Sequence, residues 1–122
     1  MPRRKGADAE RALVSWLRVN GFPDARRYLA GDGRQPGDID GLPGVCIDVK
    51  NRATLDLPGW LRQCDAEARH ALPFVVVKLR GVVDPGQWAL VTRVHNLREL
   101  MGLPPIPDLR SGGVLAQQEH TP

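Results

Sequence analysis

Cysteine is scarce in this chain: Cys46 and Cys64 are the only two among 122 residues. They match no metal-ligand spacing and are too few for a disulfide framework, so both read as small buried thiols of a reducing compartment. The three histidines, His70, His95 and His120, stand far apart without ligand spacing and read as surface residues. Long apolar runs are missing too. The longest, residues 72–77, is far short of the roughly 20 residues that a membrane-spanning helix needs. The basic residues at positions 3–5 lead into no apolar segment, so a signal peptide is not expected. The expectation is an intracellular, cytoplasmic protein. No glycine-rich phosphate loop, Ser-His-Asp set or internal repeat is visible.

What is present is an ordinary globular composition, 42% hydrophobic and 25% charged, in a length suited to one domain. The net charge is +3, and 14 of the 17 basic residues are arginine. A planar guanidinium fork suits phosphate recognition, although a GC-rich genome gives the same bias.

The most informative stretch is residues 37–51, Gly-Asp-Ile-Asp-Gly-Leu-Pro-Gly-Val-Cys-Ile-Asp-Val-Lys-Asn. Period two predicts two strands, 37–42 and 44–50, turning at Leu42, Pro43 and Gly44. Asp38 and Asp40 then share one face, opposite Ile39. On the second strand Val45, Ile47 and Val49 share a face, opposite Cys46, Asp48 and Lys50. The hairpin therefore gathers carboxylates and a lysine at neighbouring strand ends. Such carboxylates repel one another unless a divalent cation lies between them, so the segment reads as a metal site.

An amphipathic helix is predicted over residues 7–20, with Leu13, Val14 and Leu17 as its apolar stripe and Gly21 as a left-handed cap. Glu10 lies on that stripe, so its carboxylate needs an arginine partner, a place at the stripe's exposed edge, or the metal. A strand over residues 26–30 and a loop over 31–37 deliver the chain to Asp38, with Arg34 placed to meet a phosphate. Asp56 or the residue beside it caps a second helix with Pro58 in its first turn. Leu57, Trp60, Leu61, Cys64, Ala68, Ala71 and Leu72 form that helix's core stripe. Gln63 sits at the stripe's edge, either solvated or orienting a water. Pro73 ends the helix, and strands follow over 74–79 and 87–93, with Lys78 near the end of the first. A short helix spans 95–101. The domain is expected to cover residues 1–101, and the proline- and glycine-rich segment 102–122 to be an extended or disordered tail.

The order helix, three strands, helix, two strands, with Glu10, Asp38 and Asp48-Val49-Lys50 in these places, resembles the PD-(D/E)xK nuclease superfamily. The segments 5–14, 20–22, 37–39, 46–50 and 73–78 are most similar to the archaeal-type Holliday junction resolvases and their phage relatives. Asp48 stands where those resolvases usually carry glutamate, a change the superfamily accepts. The resemblance implies an α/β, restriction-endonuclease-like αβββαβ core and a metal-dependent DNA endonuclease, possible phage origin included. Asp38, Asp48 and the Val49 carbonyl would hold Mg²⁺, with Mn²⁺ as a substitute, and Glu10 would complete the shell directly or through water. Lys50 would orient the attacking water and stabilise developing charge, with Gln63 assisting. Asp40 would stand behind the ligands or be solvated. Arg3, Arg4, Lys5, Arg34 and Arg52 would grip the backbone of a four-way DNA junction, and paired nicks would need a homodimer. The rivals are a repair or restriction-type nuclease of the same fold and a non-catalytic DNA-binding module.

Overall fold

A computed structural model of the chain describes residues 2–28 and 37–104. The first element, α1, spans Pro2–Val19. It starts five residues before the sequence pattern indicates, because proline is well suited to a first turn, where its missing N–H has no helical partner anyway. Ala9, Leu13, Val14 and Leu17 are its buried stripe. The helix ends where Gly21 takes φ +105° and Phe22 N–H donates to the Leu17 carbonyl at 3.0 Å, a left-handed glycine stop.

Five short strands follow: β1 Arg26–Arg27, β2 Ile39–Asp40, β3 Val45–Lys50, β4 Leu72–Val77 and β5 Ala89–Val91. They lie in that order in one sheet. All neighbours are antiparallel except β3 and β4, which run parallel and are joined by α2, Leu57–Ala68. A parallel pair needs such a crossover. The fold is thus α/β, a five-stranded mixed sheet flanked by helices.

β2 is shorter than its alternation suggests. At Gly41 φ is +93°, and a Cβ there would run into the Asp24 carbonyl, so the chain leaves the strand geometry at that point. The second helix begins as expected, with the Asp56 carboxylate accepting from Gly59 N–H at 3.1 Å. It ends earlier than expected, at Ala68, where Arg69 turns left-handed at φ +56°. Strand β4 consequently opens at Leu72 and includes Pro73. β5 pairs only with Val75–Val77, so the N–H that Pro73 lacks is not needed on that side.

The two faces of β3 and β4 go to different cores. Ile39, Ile47, Val49, Phe74 and Val76 pack with the α1 stripe and Trp88. Cys46, Val75 and Val77 pack with Trp60, Cys64 and Ala68 of α2. Burial on both sides explains why β4 reads as a nearly unbroken apolar run. Cys64 is fully buried, its thiol donating to the Phe74 carbonyl at 3.4 Å, and both cysteines are free.

Among the described residues, those up to Thr92 form one compact unit and those from Arg93 on belong to another. Within the second, the helix expected over 95–101 is a 3-10 turn, Val94–Asn96, followed by one turn of α3, Leu97–Leu100. Gly102 at φ +77° and the bond from Leu103 N–H to the Arg98 carbonyl (2.8 Å) stop it. The tail beyond residue 104 lies outside the described residues. No helix among the described residues is long and apolar enough to cross a membrane.

Candidate active site

Strand alternation puts Asp48 on the α2 face of β3, between Cys46 and Lys50. Asp48 is only 3% exposed, a costly place for a carboxylate. Asp38 is brought alongside by backbone bonds to the same strand. Its N–H donates to the Ile47 carbonyl at 2.7 Å, and its Oδ2 accepts from Val49 N–H at 2.7 Å. Gly37 permits this approach: it sits at φ +82°, and a Cβ there would stand 2.5 Å from the Ile47 carbonyl oxygen. Val49 therefore contributes its amide to the site, as a clamp on Asp38.

A third carboxylate enters from α2. Glu67 Oε1 and Asp48 Oδ2 are both buried, and neither meets a hydrogen-bond donor. Burial first, and then a hydrogen bond shared with Glu67, push the Asp48 carboxyl up to about 9, so at neutral pH it holds a proton. Asp38 is also raised, chiefly by burial. The Val49 N–H opposes that rise, Glu10 and Glu67 add to it, and Lys50 again opposes it. The fields of Glu10 from α1 and Glu67 from α2 thus both reach Asp38.

Lys50 is held at the edge of this cluster. Its Nζ donates to Gln63 Oε1 at 3.3 Å and stands 6.0 Å from the Trp60 ring centroid. Gln63 Nε2 in turn contacts Glu67 Oε2 at 3.4 Å. Gln63 is thereby placed as a strut between the ammonium and the third carboxylate. Lys78 N–H donates to the Lys50 carbonyl at 2.9 Å, which sets Lys78 beside the same strand ends. Glu67 is the residue that the sequence reading misses. Its signal was available: it lies one turn after Gln63 and beside the Cys64–Ala68 stripe, a position where a carboxylate needs a reason.

The other expected residues divide. Glu10 does face inward, and its Oε1 accepts from Arg27 Nε at 2.9 Å, the arginine pairing that was one of its three options. Its field still reaches Asp38. Asp40 turns to Arg26, whose guanidinium donates at 2.9 and 2.6 Å and holds the carboxyl below its ordinary range, as befits a solvated pair. Arg52 is exposed on the connection after β3. The side chains of Arg3, Arg4 and Lys5, and all of Arg34, lie outside the described residues.

Among the described residues no group of three or more His, Cys, Asp or Glu stands close enough to form a ready metal cage. What fits a cation is a smaller set, Asp38 and the Asp48 oxygen that no donor reaches. Mg²⁺ is commonly held by one or two carboxylates while keeping several waters, so oxygen donors of this kind and number match its habit. No family model, curated protein or solved structure matches this chain.

Proposed function

We propose that this chain is a Mg²⁺-dependent DNA endonuclease with a restriction-endonuclease-like αβββαβ core, acting as a homodimer that nicks four-way junctions in pairs. The observation that carries this reading is the buried Asp48 carboxyl, met by no donor and facing only the Glu67 carboxyl, beside Asp38, with Lys50 at the rim. A purely structural sheet has no use for a buried carboxyl at Asp48 with a half-buried carboxylate at Asp38 further disfavouring its charge.

Asp38 and Asp48, with the Val49 carbonyl, would hold the cation, and Glu10 would reach it directly or through water while Arg27 fixes its position. Bound Mg²⁺ supplies Lewis-acid polarisation of a phosphoryl oxygen and a more acidic bound water. Asp48 would have to be ionised to serve as a ligand, and the buried Glu67 Oε1 lies next to it. Lys50 donates to the phosphate oxygen on which negative charge develops, worth roughly 10²–10³-fold in rate for one well-placed donor. Gln63 keeps the ammonium from collapsing onto the carboxylates. A chain with one such set makes one nick, so paired nicks call for two copies related by a two-fold axis.

The test is cleavage of labelled four-way junctions, linear duplex and flaps, with and without Mg²⁺. The expected result is paired nicking of junctions that stops in EDTA. Wild type diluted into excess Asp48→Asn should leave singly nicked junctions. Cutting that persists in excess EDTA would refute the metal assignment. Equal cutting of linear duplex would move the assignment to a repair or restriction-type nuclease, and tight binding without any cutting to a binding module.

A further inference from the structure

Away from the acidic cluster, a cleft of about 490 Å³ opens between α1 and β1, lined by Arg11, Val14, Ser15, Arg18, Arg26 and Arg27. We propose that this cleft is a phosphodiester-binding subsite, centred on Arg18, that holds the nucleic-acid strand away from the bond being cut. The proposal rests on the nuclease reading above.

The geometry follows from helical spacing. Arg11, Val14, Ser15 and Arg18 stand at i, i+3, i+4 and i+7, one stripe along α1. The two-residue strand β1 supplies the facing arginines. Among the described residues, four guanidinium groups line the space and no carboxylate does. Such a lining repels cations and would strand its charges against an apolar ligand. It suits an anion with several acceptor oxygens.

The arginines are also held in place. Arg11 bonds Asp8 at 2.9 Å, Arg26 bonds Asp40, and Arg27 bonds Glu10, so three of the four have a carboxylate close by. Arg18 differs. Its Nε donates at 2.7 Å to the Ala25 carbonyl, a neutral partner, so its positive charge is not cancelled by that bond. Arg27 joins the cleft to the acidic cluster, because its partner Glu10 lies within electrostatic reach of Asp38. A strand whose reacting phosphate approaches Asp38 meets the negative field of Glu10 and Glu67 and is repelled there until a cation binds. A neighbouring phosphate in the arginine cleft keeps that strand bound meanwhile.

Fluorescence anisotropy with labelled duplex and junction, in the non-cleaving Asp48→Asn background and over a range of salt, tests this directly. Losing one phosphate contact lowers the slope of log K against log salt by about 0.9 and weakens binding by about tenfold near 0.1 M salt. Arg18→Ala should show both effects. Arg18→Gln, which keeps a donor for Ala25 and removes only charge, should match it, and Arg18→Lys should restore the slope. An unchanged slope in folded Arg18→Gln would overturn the proposal. So would Arg18-dependent calorimetric binding of inorganic phosphate alone with an unchanged DNA slope, which would make the cleft a small-anion site. DNA binding through Arg18 by a wild type that never cuts removes the nuclease reading and leaves the subsite standing. Cleavage with an unchanged slope does the reverse.

Discussion

Replacing Asp48 with asparagine should abolish cleavage and yet make the cation-free protein more stable at neutral pH. The Asp48 carboxyl has its pKa raised to about 9 in the fold, against 3.8 for the ordinary group. Between these values the folded chain carries a proton there that the unfolded chain has released. Stability is therefore complete below the unfolded pKa and declines as pH rises towards 9. One proton corresponds to about 1.4 kcal/mol per pH unit, so the fall from pH 5 to pH 7 has an upper bound of about 3 kcal/mol. For a domain of this size that is on the order of 10 °C in Tm. Asp38, raised in the same direction, adds to the slope. Asp40, lowered by Arg26, acts in the opposite sense, but only below the usual carboxylate range. The asparagine side chain carries no titrating proton, and its amide can donate to the open Glu67 Oε1. The assay is thermal and urea unfolding of both proteins from pH 5 to 8, with and without Mg²⁺. Wild type should lose stability as pH rises and regain about 2.7 kcal/mol when Mg²⁺ reaches a hundred times its dissociation constant. The asparagine variant should have a flatter profile and no such gain. Equal pH slopes in the two proteins would refute the buried protonated carboxyl, and equal Mg²⁺ gains would remove Asp48 from the cation site.

Three further outcomes follow from other contacts. Lys50→Ala should slow junction cleavage roughly 10²–10³-fold in single-turnover assays while the fold, followed by circular dichroism, is retained; a wild-type rate would make Lys50 a bystander. Glu67→Gln places a donor beside Asp48 Oδ2, so it should weaken Mg²⁺ binding in calorimetry and flatten the pH slope of stability. Unchanged affinity and slope would mean that Glu67 is not coupled to the site. Gly41→Ala forces a Cβ into the Asp24 carbonyl at φ +93°, and urea unfolding should show a loss of at least about 1–3 kcal/mol; a neutral result would contradict the close approach of the β1–β2 region to that turn.

Much of the fold is legible in the residues because local periodicity depends on backbone geometry alone. The stripe of Leu13, Val14 and Leu17, the alternation along residues 45–50 and the Asp56–Pro58 helix start are all found where the patterns put them. Element ends are less legible. The second helix stops at Ala68 because Arg69 turns left-handed, which neither the continuing apolar spacing of Ala71 and Leu72 nor Pro73 announces. The glycine at 41 cuts β2 short because of a carbonyl seventeen residues earlier in the chain.

The site divides in the same way. Sequence alone determined that Asp38, Asp48 and Lys50 share neighbouring strand ends, since a hairpin and a period of two suffice to bring them there. Only the tertiary structure decided that Glu10 takes Arg27, that Asp40 belongs to Arg26, and that Glu67 faces Asp48 with an open oxygen on each. It also decided that arginines from α1 and β1 line one cleft. The physical reason is range. A turn or an alternation is set by bonds a few residues apart. Which charges neutralise one another, and which carboxyl must keep its proton, depends on distances of a few ångströms between segments that only packing brings together.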